Sequence, residues 1–241
     1  MSKVVNLVRL RGVPIFRQLL LEESLLRGSL GNWCVLNDGA PELSVVMGIS
    51  AKVDQVMHRG LVAGKQVKVI RRYSGGGTVI IDKETLFATL IFEQKSIPDV
   101  TAYPRPIMKW SEGFYSSVFS PWGSFSLKEN DYAYERRKFG GNAQTITKDK
   151  WVHHTSFLWD YDSELMALLK QPPKQPDYRK SRVHDDFLCR LSDYLPSKDK
   201  FFDGVADSLE ERGFSIKEAT EDEARASCKD GVRISTKYVE I

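Results

Sequence analysis

At 241 residues, with 41% hydrophobic and 28% charged side chains, the chain has the make-up of a soluble globular protein that can bury one main core. No apolar run approaches the roughly 18 residues that a bilayer span needs, which excludes a membrane-spanning protein. The net charge of +3 suits an anionic ligand without calling for nucleic acid. Cys34, Cys189 and Cys228 are widely spaced and form no CxxC pair, so they give neither a disulfide framework nor a zinc site, and a reducing compartment is the default.

Lys3, Arg9, Arg11 and Arg17 precede the first acid, Glu22, a bias shared with organellar transit peptides. The pattern of the same residues reads as structure instead. "VVNLVRL" alternates like a strand, and "PIFRQLLLEESLLR" places Ile15, Leu19, Leu20, Ser24 and Leu26 with roughly helical spacing behind a proline suited to a helix's first turn. "NWCVLND" and "LSVVMGI" read as short strands, "AKVDQVMHRGL" as one short helix, and "KQVKVIRRY" as a strand that delivers the run "SGGG" into another strand, "TVIID". "TLFATLIFE" is a strongly β-prone run, and "PIMKWSEGFYSSVF" is a helix with Ile107, Trp110, Phe114 and Val118 on one face. "SFSLKENDY", "RRKFGGNAQTIT" and "WVHHTSFLW" each read as a strand, followed by a helix over residues 161–169. "QPPKQPDYRKSR" (171–182) reads as a basic surface loop, either a solvated linker or a cover for a ligand. A helix follows, ending at Gly213, then a polar segment, then a short strand in "RISTKYVE". Many strands with interspersed helices predict an α+β fold.

The three glycines of "RRYSGGGTVIID" permit positive φ and close approach of a ligand to the main chain. They join strand to strand. A phosphate-binding P-loop or a dinucleotide fingerprint needs a strand, then glycines, then a helix, and the GxxxxGK[ST] spacing is missing.

Four separated stretches, "QLLLEESLL", "RRYSGGGTVIID", "ENDYAYERRKFGGNAQTITKDKWVHHTSFLW" and "KSRV", together resemble the catalytic domain of the lipoate protein ligase A family, over about residues 3–215. The resemblance implies mixed, largely antiparallel sheets with flanking helices, similar to the biotin ligase and class II tRNA synthetase catalytic core. It implies a catalytic domain over 1–215 and a short extension over 216–241 with no full accessory domain. The implied activity attaches lipoate or octanoate to a lysine of a lipoyl carrier domain, through an acyl-adenylate (lipoyl-AMP) made from ATP and Mg²⁺. The implied partners are the E2 subunits of 2-oxoacid dehydrogenases and the H protein of glycine cleavage, with neither nucleic acid nor membrane, in the cytoplasm or an organellar matrix.

Activating a carboxylate with ATP brings two anions together, so the site needs fixed positive charge and backbone donors. By the resemblance, Lys138 is the catalytic lysine, whose ammonium meets the carboxylate or the adenylate. Arg72 borders the acyl and phosphate site, and Ser74, Gly75, Gly76, Gly77 and Thr78 form a loop over the acyl-adenylate. Gly140, Gly141, Asn142 and Ala143 form a small-residue turn against the adenylate. Asn130 and Asp131 match a pair near the nucleotide, where Asp131 is a candidate Mg²⁺ ligand. His154 matches a residue near the acyl pocket, and on a strand it faces away from His153.

Two departures bear on function. Ile81 stands where better-known members have histidine, and little chain follows the helix ending near Gly213, which leaves activation to a separate accessory domain or absent. The alternatives are therefore an ATP-independent lipoyl- or octanoyltransferase, for which Cys189 is the candidate thiol nucleophile, and a non-catalytic binder of acyl groups or carrier domains.

Overall fold

The strands form where β-branched and aromatic residues concentrate. In the computed structural model, which describes residues 3–171 and 175–241, they are β1 (Lys3–Leu10), β2 (Asn32–Asn37), β3 (Ser44–Met47), β4 (Lys68–Arg71), β5 (Val79–Ile81), β6 (Thr85–Glu93), β7 (Phe125–Lys128), β8 (Asp131–Tyr134), β9 (Arg137–Ile146), β10 (Lys150–Leu158), β11 (Phe214–Ala219) and β12 (Lys237–Tyr238). The helices are α1 (Ile15–Gly28), α2 (Val53–Val56), α3 (Arg59–Gly64), α4 (Pro104–Phe119), α5 (Ser163–Met166), α6 (His184–Phe187), α7 (Lys198–Glu211) and α8 (Glu221–Ala226).

An eight-stranded sheet has the order β11-β1-β2-β6-β10-β9-β8-β7, and a four-stranded sheet the order β12-β4-β3-β5. Both are mixed. β1 runs parallel to β2 and β11, and β3 parallel to β4, while the remaining neighbours are antiparallel. The mixed α+β architecture with flanking helices is the one the sequence predicts.

The large sheet has a helix layer on each face. On one face α4 and α7 bring Phe114, Tyr115, Phe119 and Phe201 against Phe139 and Phe157, all fully buried. Burying each ring contributes on the order of 2 kcal/mol. On the other face α1 sets Leu19, Leu21 and Leu25 against Phe87, Ile91 and Val152, and the same cluster reaches Ile70, Tyr73 and Ile81 of the small sheet. The glycine loop between β4 and β5 is thus suspended from the small sheet, and β9 from the large one.

Four elements differ from the sequence reading. The single helix expected in "AKVDQVMHRGL" is split at Met57, which is extended (φ −146°, ψ 160°) and bridges Leu169. The helix expected over 161–169 is confined to α5: Asp162 caps its start by accepting from Glu164 N–H, and by Leu169 the chain has left the helix to bridge Met57. "SFSLKENDY" is two strands, β7 and β8, joined by a turn in which Glu129 takes φ +55°. The polar segment after Gly213 contains β11, paired with β1, and α8, which opens on a capping box between Thr220 and Glu223. β11 runs across the residue 215 boundary drawn from the sequence. Pro172, Pro173 and Lys174 of the expected basic loop lie outside the described residues.

The C-terminal residues are tied back onto the fold. β12 pairs with β4 (Lys237 opposite Arg71), and Tyr238 stacks on Phe16 at 4.0 Å. Glu23 of α1, fully buried, accepts from the N–H of Ser235 (2.8 Å), the N–H and hydroxyl of Thr236 (both 2.9 Å) and Arg27 (3.0 Å).

Candidate functional site

The β8–β9 hairpin positions the lysine. β8 begins at Asp131, directly after the Glu129–Asn130 turn, and β9 returns through Lys138 opposite Ala133. Lys138 Nζ lies 2.7 Å from Asp131 Oδ1, both side chains partly open to solvent. The other carboxylate oxygen, Oδ2, accepts from the Tyr178 hydroxyl at 2.9 Å. Burial and the negative charge of Asp131 push the Tyr178 phenol well above its ordinary value, so it remains a donor. On the far side of the strand, Cys189 N–H donates to the Lys138 carbonyl at 2.9 Å and fixes its backbone.

The small-residue turn expected at Gly140, Gly141, Asn142 and Ala143 is instead part of strand β9, paired with Phe157, Ser156, Thr155 and His154 of β10. A Cβ on Gly141 would stand 3.4 Å from Lys138 Nζ, so the lysine side chain lies across that glycine. A Cβ on Gly140 would come within 2.7 Å of the Phe157 ring, so this glycine answers to the aromatic core. Asn142 Nδ2 donates to the Asn130 carbonyl (2.8 Å) and its Oδ1 accepts from Gln144 (2.8 Å). The second hydrogen of the Gln144 amide goes to His153 Nδ1 (3.1 Å), which leaves His153 Nε2–H to donate to Tyr132 (2.8 Å) and Tyr132 to donate to Ser111 (2.6 Å). Burial first, and His154 beside it, push the His153 pKa down to about 3, so the ring is neutral. This chain of bonds runs from α4 through the core and orients Asn142 at the surface.

The glycine loop meets the same strand. A Cβ on Gly76 would lie 3.5 Å from that of Ala143 and 3.7 Å from the Asn142 carbonyl. Gly76 has φ +94°, a conformation that L side chains rarely adopt, whereas Gly75 and Gly77 face open space. Arg72 lies beneath the loop. It is 4% exposed, and its guanidinium donates to Ser74 Oγ (2.9 Å) and to the carbonyls of Gly75 and Gly77 (2.8 Å to the latter). Burial lowers its pKa to about 10, which still leaves it cationic at neutral pH. Among the described residues this charge has no carboxylate partner, and carbonyl dipoles hold it. Arg71 points elsewhere, onto the carbonyls of Ile49 (3.0 Å) and Ala51 (2.6 Å). Thr78 Oγ1, just past the loop, is buried with no hydrogen-bond partner.

His154, on the opposite face of β10 from His153, joins a buried polar cluster centred on Glu22. Its Nδ1 lies 2.8 Å from Glu22 Oε2, and Glu22 Oε1 accepts from Gln18 (2.7 Å) and Thr89 (2.8 Å). Asn37 joins through Gln18 Oε1 at 2.8 Å. Tyr73, held protonated by burial and by Glu22, donates to the same carboxylate at 3.4 Å. Ile81, 1% exposed, packs within the apolar cluster around this network.

Lys138, Asp131, Gly141, Asn142, Ala143 and Gly76 therefore form one continuous surface, with Asn130 at its edge through Asn142. Arg72 and Ser74 support the loop from below, and His154 sits deeper. Sequence reading did not single out Tyr178, Gln144, Tyr132, Gln18, Glu22, Thr89 or Asn37. The polar residues on the otherwise apolar faces of α1 and β6 were the available signal, but their partners on other elements are 19 to 132 residues distant.

Mg²⁺ demands near-octahedral oxygen coordination, and the donors present do not fit a resident ion. Both oxygens of Asp131 are engaged, and among the described residues no group of three or more His, Cys, Asp or Glu side chains comes together. Cys189 is 2% exposed and burial pushes its thiol up to about 11, the reverse of an activated nucleophile. No helix among the described residues is long and apolar enough to cross a membrane.

The family model of the lipoyl protein ligase A/B catalytic domain matches residues 14–212, and the chain belongs to that family. A Plasmodium falciparum protein named inactive lipoate–protein ligase 2 is 30% identical over 72% of this chain, and the match covers 60% of that relative. A Mycoplasma pneumoniae protein named "Probable lipoate-protein ligase A" is 28% identical over 52% of this chain and 36% of its own length. The chain thus spans less than two thirds of either relative. Among solved structures, the bi-partite lipoate protein ligase of Thermoplasma acidophilum superimposes with a TM-score of 0.76 at 18% identity, over 93% of this chain and 91% of the other. A lipoate-protein ligase A bound with ATP gives 0.73 at 17% identity, over 94% of each chain. At these identities the likeness is one of fold.

Proposed function

We propose that the chain attaches a lipoyl or octanoyl group to a lysine of a lipoyl carrier domain through an acyl-adenylate. The observation that carries this reading is the contact surface of Lys138, Gly141, Ala143 and Gly76, which sets a partly exposed ammonium beside the glycine loop. In the first step the acid's carboxylate oxygen attacks the α-phosphorus of ATP, forming the acyl-adenylate and releasing pyrophosphate. In the second, the carrier's lysine amine attacks the acyl carbonyl, the amide forms, and AMP leaves with the acyl–oxygen bond's electrons.

Lys138 supplies positive charge where each step gathers negative charge. Asp131 holds the ammonium in place until an anion competes for it. Arg72 turns the carbonyls of Gly75 and Gly77 inward, so that an anion outside the loop does not meet them. Asn142, oriented by Gln144, offers its amide at the nucleotide side, and the Glu22–His154 cluster with Thr78 lines the acyl side. Residues 1–215 would form the catalytic unit, and the carriers would be E2 subunits of 2-oxoacid dehydrogenases or the glycine cleavage H protein.

A second reading draws support from the Plasmodium relative's name and from Ile81, which leaves an apolar group in the small sheet beside the loop. In it, the chain receives a ready-made acyl-adenylate, or binds the carrier without turnover. Intact mass of an apo lipoyl domain separates the readings. A gain with ATP plus free acid supports the ligase, and a gain only with preformed lipoyl-adenylate supports transfer alone. A gain only with octanoyl-carrier protein would mean an ATP-independent transferase, and no gain under any condition would sink every catalytic reading.

A further inference from the structure

Arg71 is half-buried at the end of β4, and its main chain is flanked on both sides, by Met47 of β3 and Lys237 of β12. Its side chain does not follow that of Arg72 into the glycine loop. One nitrogen, Nη1, donates to three carbonyls of the single turn after β3, those of Gly48 (3.4 Å), Ile49 (3.0 Å) and Ala51 (2.6 Å). The turn is closed by Ala51 N–H donating to the Gly48 carbonyl at 3.1 Å. Carbonyl oxygens that converge on one point repel one another unless positive charge sits between them, so the guanidinium sets the shape of this turn. Among the described residues no carboxylate competes for it.

The glycine loop rests on that turn. Ile49 N–H donates to the Ser74 carbonyl at 2.9 Å, and a Cβ on Gly48 would lie 2.5 Å from the Gly76 carbonyl oxygen. Ser74 is therefore gripped twice: its hydroxyl accepts from Arg72 at 2.9 Å, and its carbonyl accepts from the turn that Arg71 holds. The side chain of Ile49 is 45% exposed, so hydrogen bonds hold it in place where core packing does not.

We propose that Arg71 is a positioning residue for the acyl site: it holds the 48–51 turn as a seat for the glycine loop, and thereby fixes where Gly76 meets Ala143 of β9. This rests on the acyl-adenylate reading above. Arg71 touches no substrate and acts through Ile49 and Ser74. The two neighbouring arginines divide one task, Arg72 shaping the loop from within and Arg71 shaping the surface beneath it. A loosened seat lets the loop leave β9, and binding of the acid then has to restore it, which weakens apparent affinity by the fraction of chains with the loop in place. The Lys138–Asp131 hairpin is untouched, so the chemical step keeps its rate.

The test reads amide hydrogen exchange of the full chain by mass spectrometry over residues 74–78, with β6 as the core control, together with the kinetics of carrier modification. Arg71→Met keeps the apolar stem and loses the donors. It is expected to speed exchange over 48–51 and 74–78 at least about tenfold and over β6 less than about twofold. In the same variant the KM for lipoic acid should rise at least about fivefold with kcat within about twofold. Arg71→Lys, which restores the charge with fewer donors, should recover part of both losses. Arg59→Met, at an exposed arginine of α3 paired with the exposed Asp54, should change neither. Should Arg71→Met fail to fold, as judged by its circular dichroism, Arg71→Lys against Arg59→Met carries the comparison, and no difference between those two would overturn the proposal. So would unchanged exchange over 74–78 in Arg71→Met, an equal acceleration there and in β6, or a kcat that falls while KM holds. Exchange is read without turnover. Arg71-dependent exchange of the loop in a chain that never modifies a carrier therefore keeps the seat and removes the ligase reading, and carrier modification with a KM for lipoic acid unaffected by Arg71→Met does the reverse.

Discussion

Lys138 is the residue on which the proposed chemistry turns, and it is also one the fold can spare, since its ammonium is partly exposed and its backbone is held by Cys189 N–H. Lys138→Ala is expected to lower carrier modification by at least about a hundredfold with an unchanged thermal midpoint, measured by intact mass and circular dichroism. A fall in thermal midpoint equal to that of a core mutant would instead mark a structural role. His153 is the opposite case, buried, neutral and bonded on both nitrogens. Its folded pKa of about 3 lies below the ordinary 6.5, so the unfolded chain binds the proton first as pH falls. Stability from this group is present above pH 6.5 and is lost on descent toward pH 3. Between pH 6.5 and 5 the loss comes to about 2 kcal/mol. His153→Gln, which retains a donor, should flatten that part of the stability–pH curve in urea titrations. Of these two residues, sequence offered the lysine through its motif. For His153 it gave only the opposed orientation on the strand, because Tyr132, Gln144 and Ser111 arrive from three other elements.

Among elements, the glycine loop has unequal glycines. A Cβ at Gly48 would lie 2.5 Å from the Gly76 carbonyl, a clash of backbone with backbone, and Gly76 itself has φ +94°. Gly48→Ala and Gly76→Ala should each destabilise by about 1–3 kcal/mol and raise the KM for the acid, while Gly75→Ala and Gly77→Ala should leave stability within about 0.5 kcal/mol. Parallel urea unfolding of the four variants checks the ranking, and equal losses at all four positions would refute it. The glycines were conspicuous in the sequence as a group, but their inequality depends on Gly48, just past β3, and on Ala143 in β9. The β7–β8 hairpin was missed for a related reason. Its turn uses Glu129 in a left-handed conformation, which no glycine or proline announces. β11 was missed because, as an edge strand, it is half exposed and has little apolar alternation.

At the scale of the molecule, the two sheets are joined through α1. Glu22 reaches the large sheet at Thr89 and His154, and Glu23 holds the C-terminal segment that borders β4. Glu23→Ala would strand the N–H groups of Ser235 and Thr236, and should cost about 3 kcal/mol. The effect should spread to the loop, seen as faster amide exchange over residues 68–77. An unchanged exchange rate there would show that the segment only covers the surface. The fold class was legible from the alternation of strands and helices, and the domain family from its motifs. The clamp was not, since neighbouring glutamates on a helix give no hint that they face different sheets.

The same clamp constrains how the chain can be made. β1, complete by residue 10, takes β11 at residues 214–219 as its parallel neighbour, and Glu23 waits for residues 235 and 236. A ribosome delivers the chain from its N-terminal side, so a nascent β1 has an open edge and α1 a buried-to-be carboxylate in water until residues 214–219 and 235–236 have been made. Contacts of such long sequence separation close slowly and leave partly folded chains exposed. β1 is therefore sealed long after it is made, and the interval before sealing is when it is most exposed to aggregation.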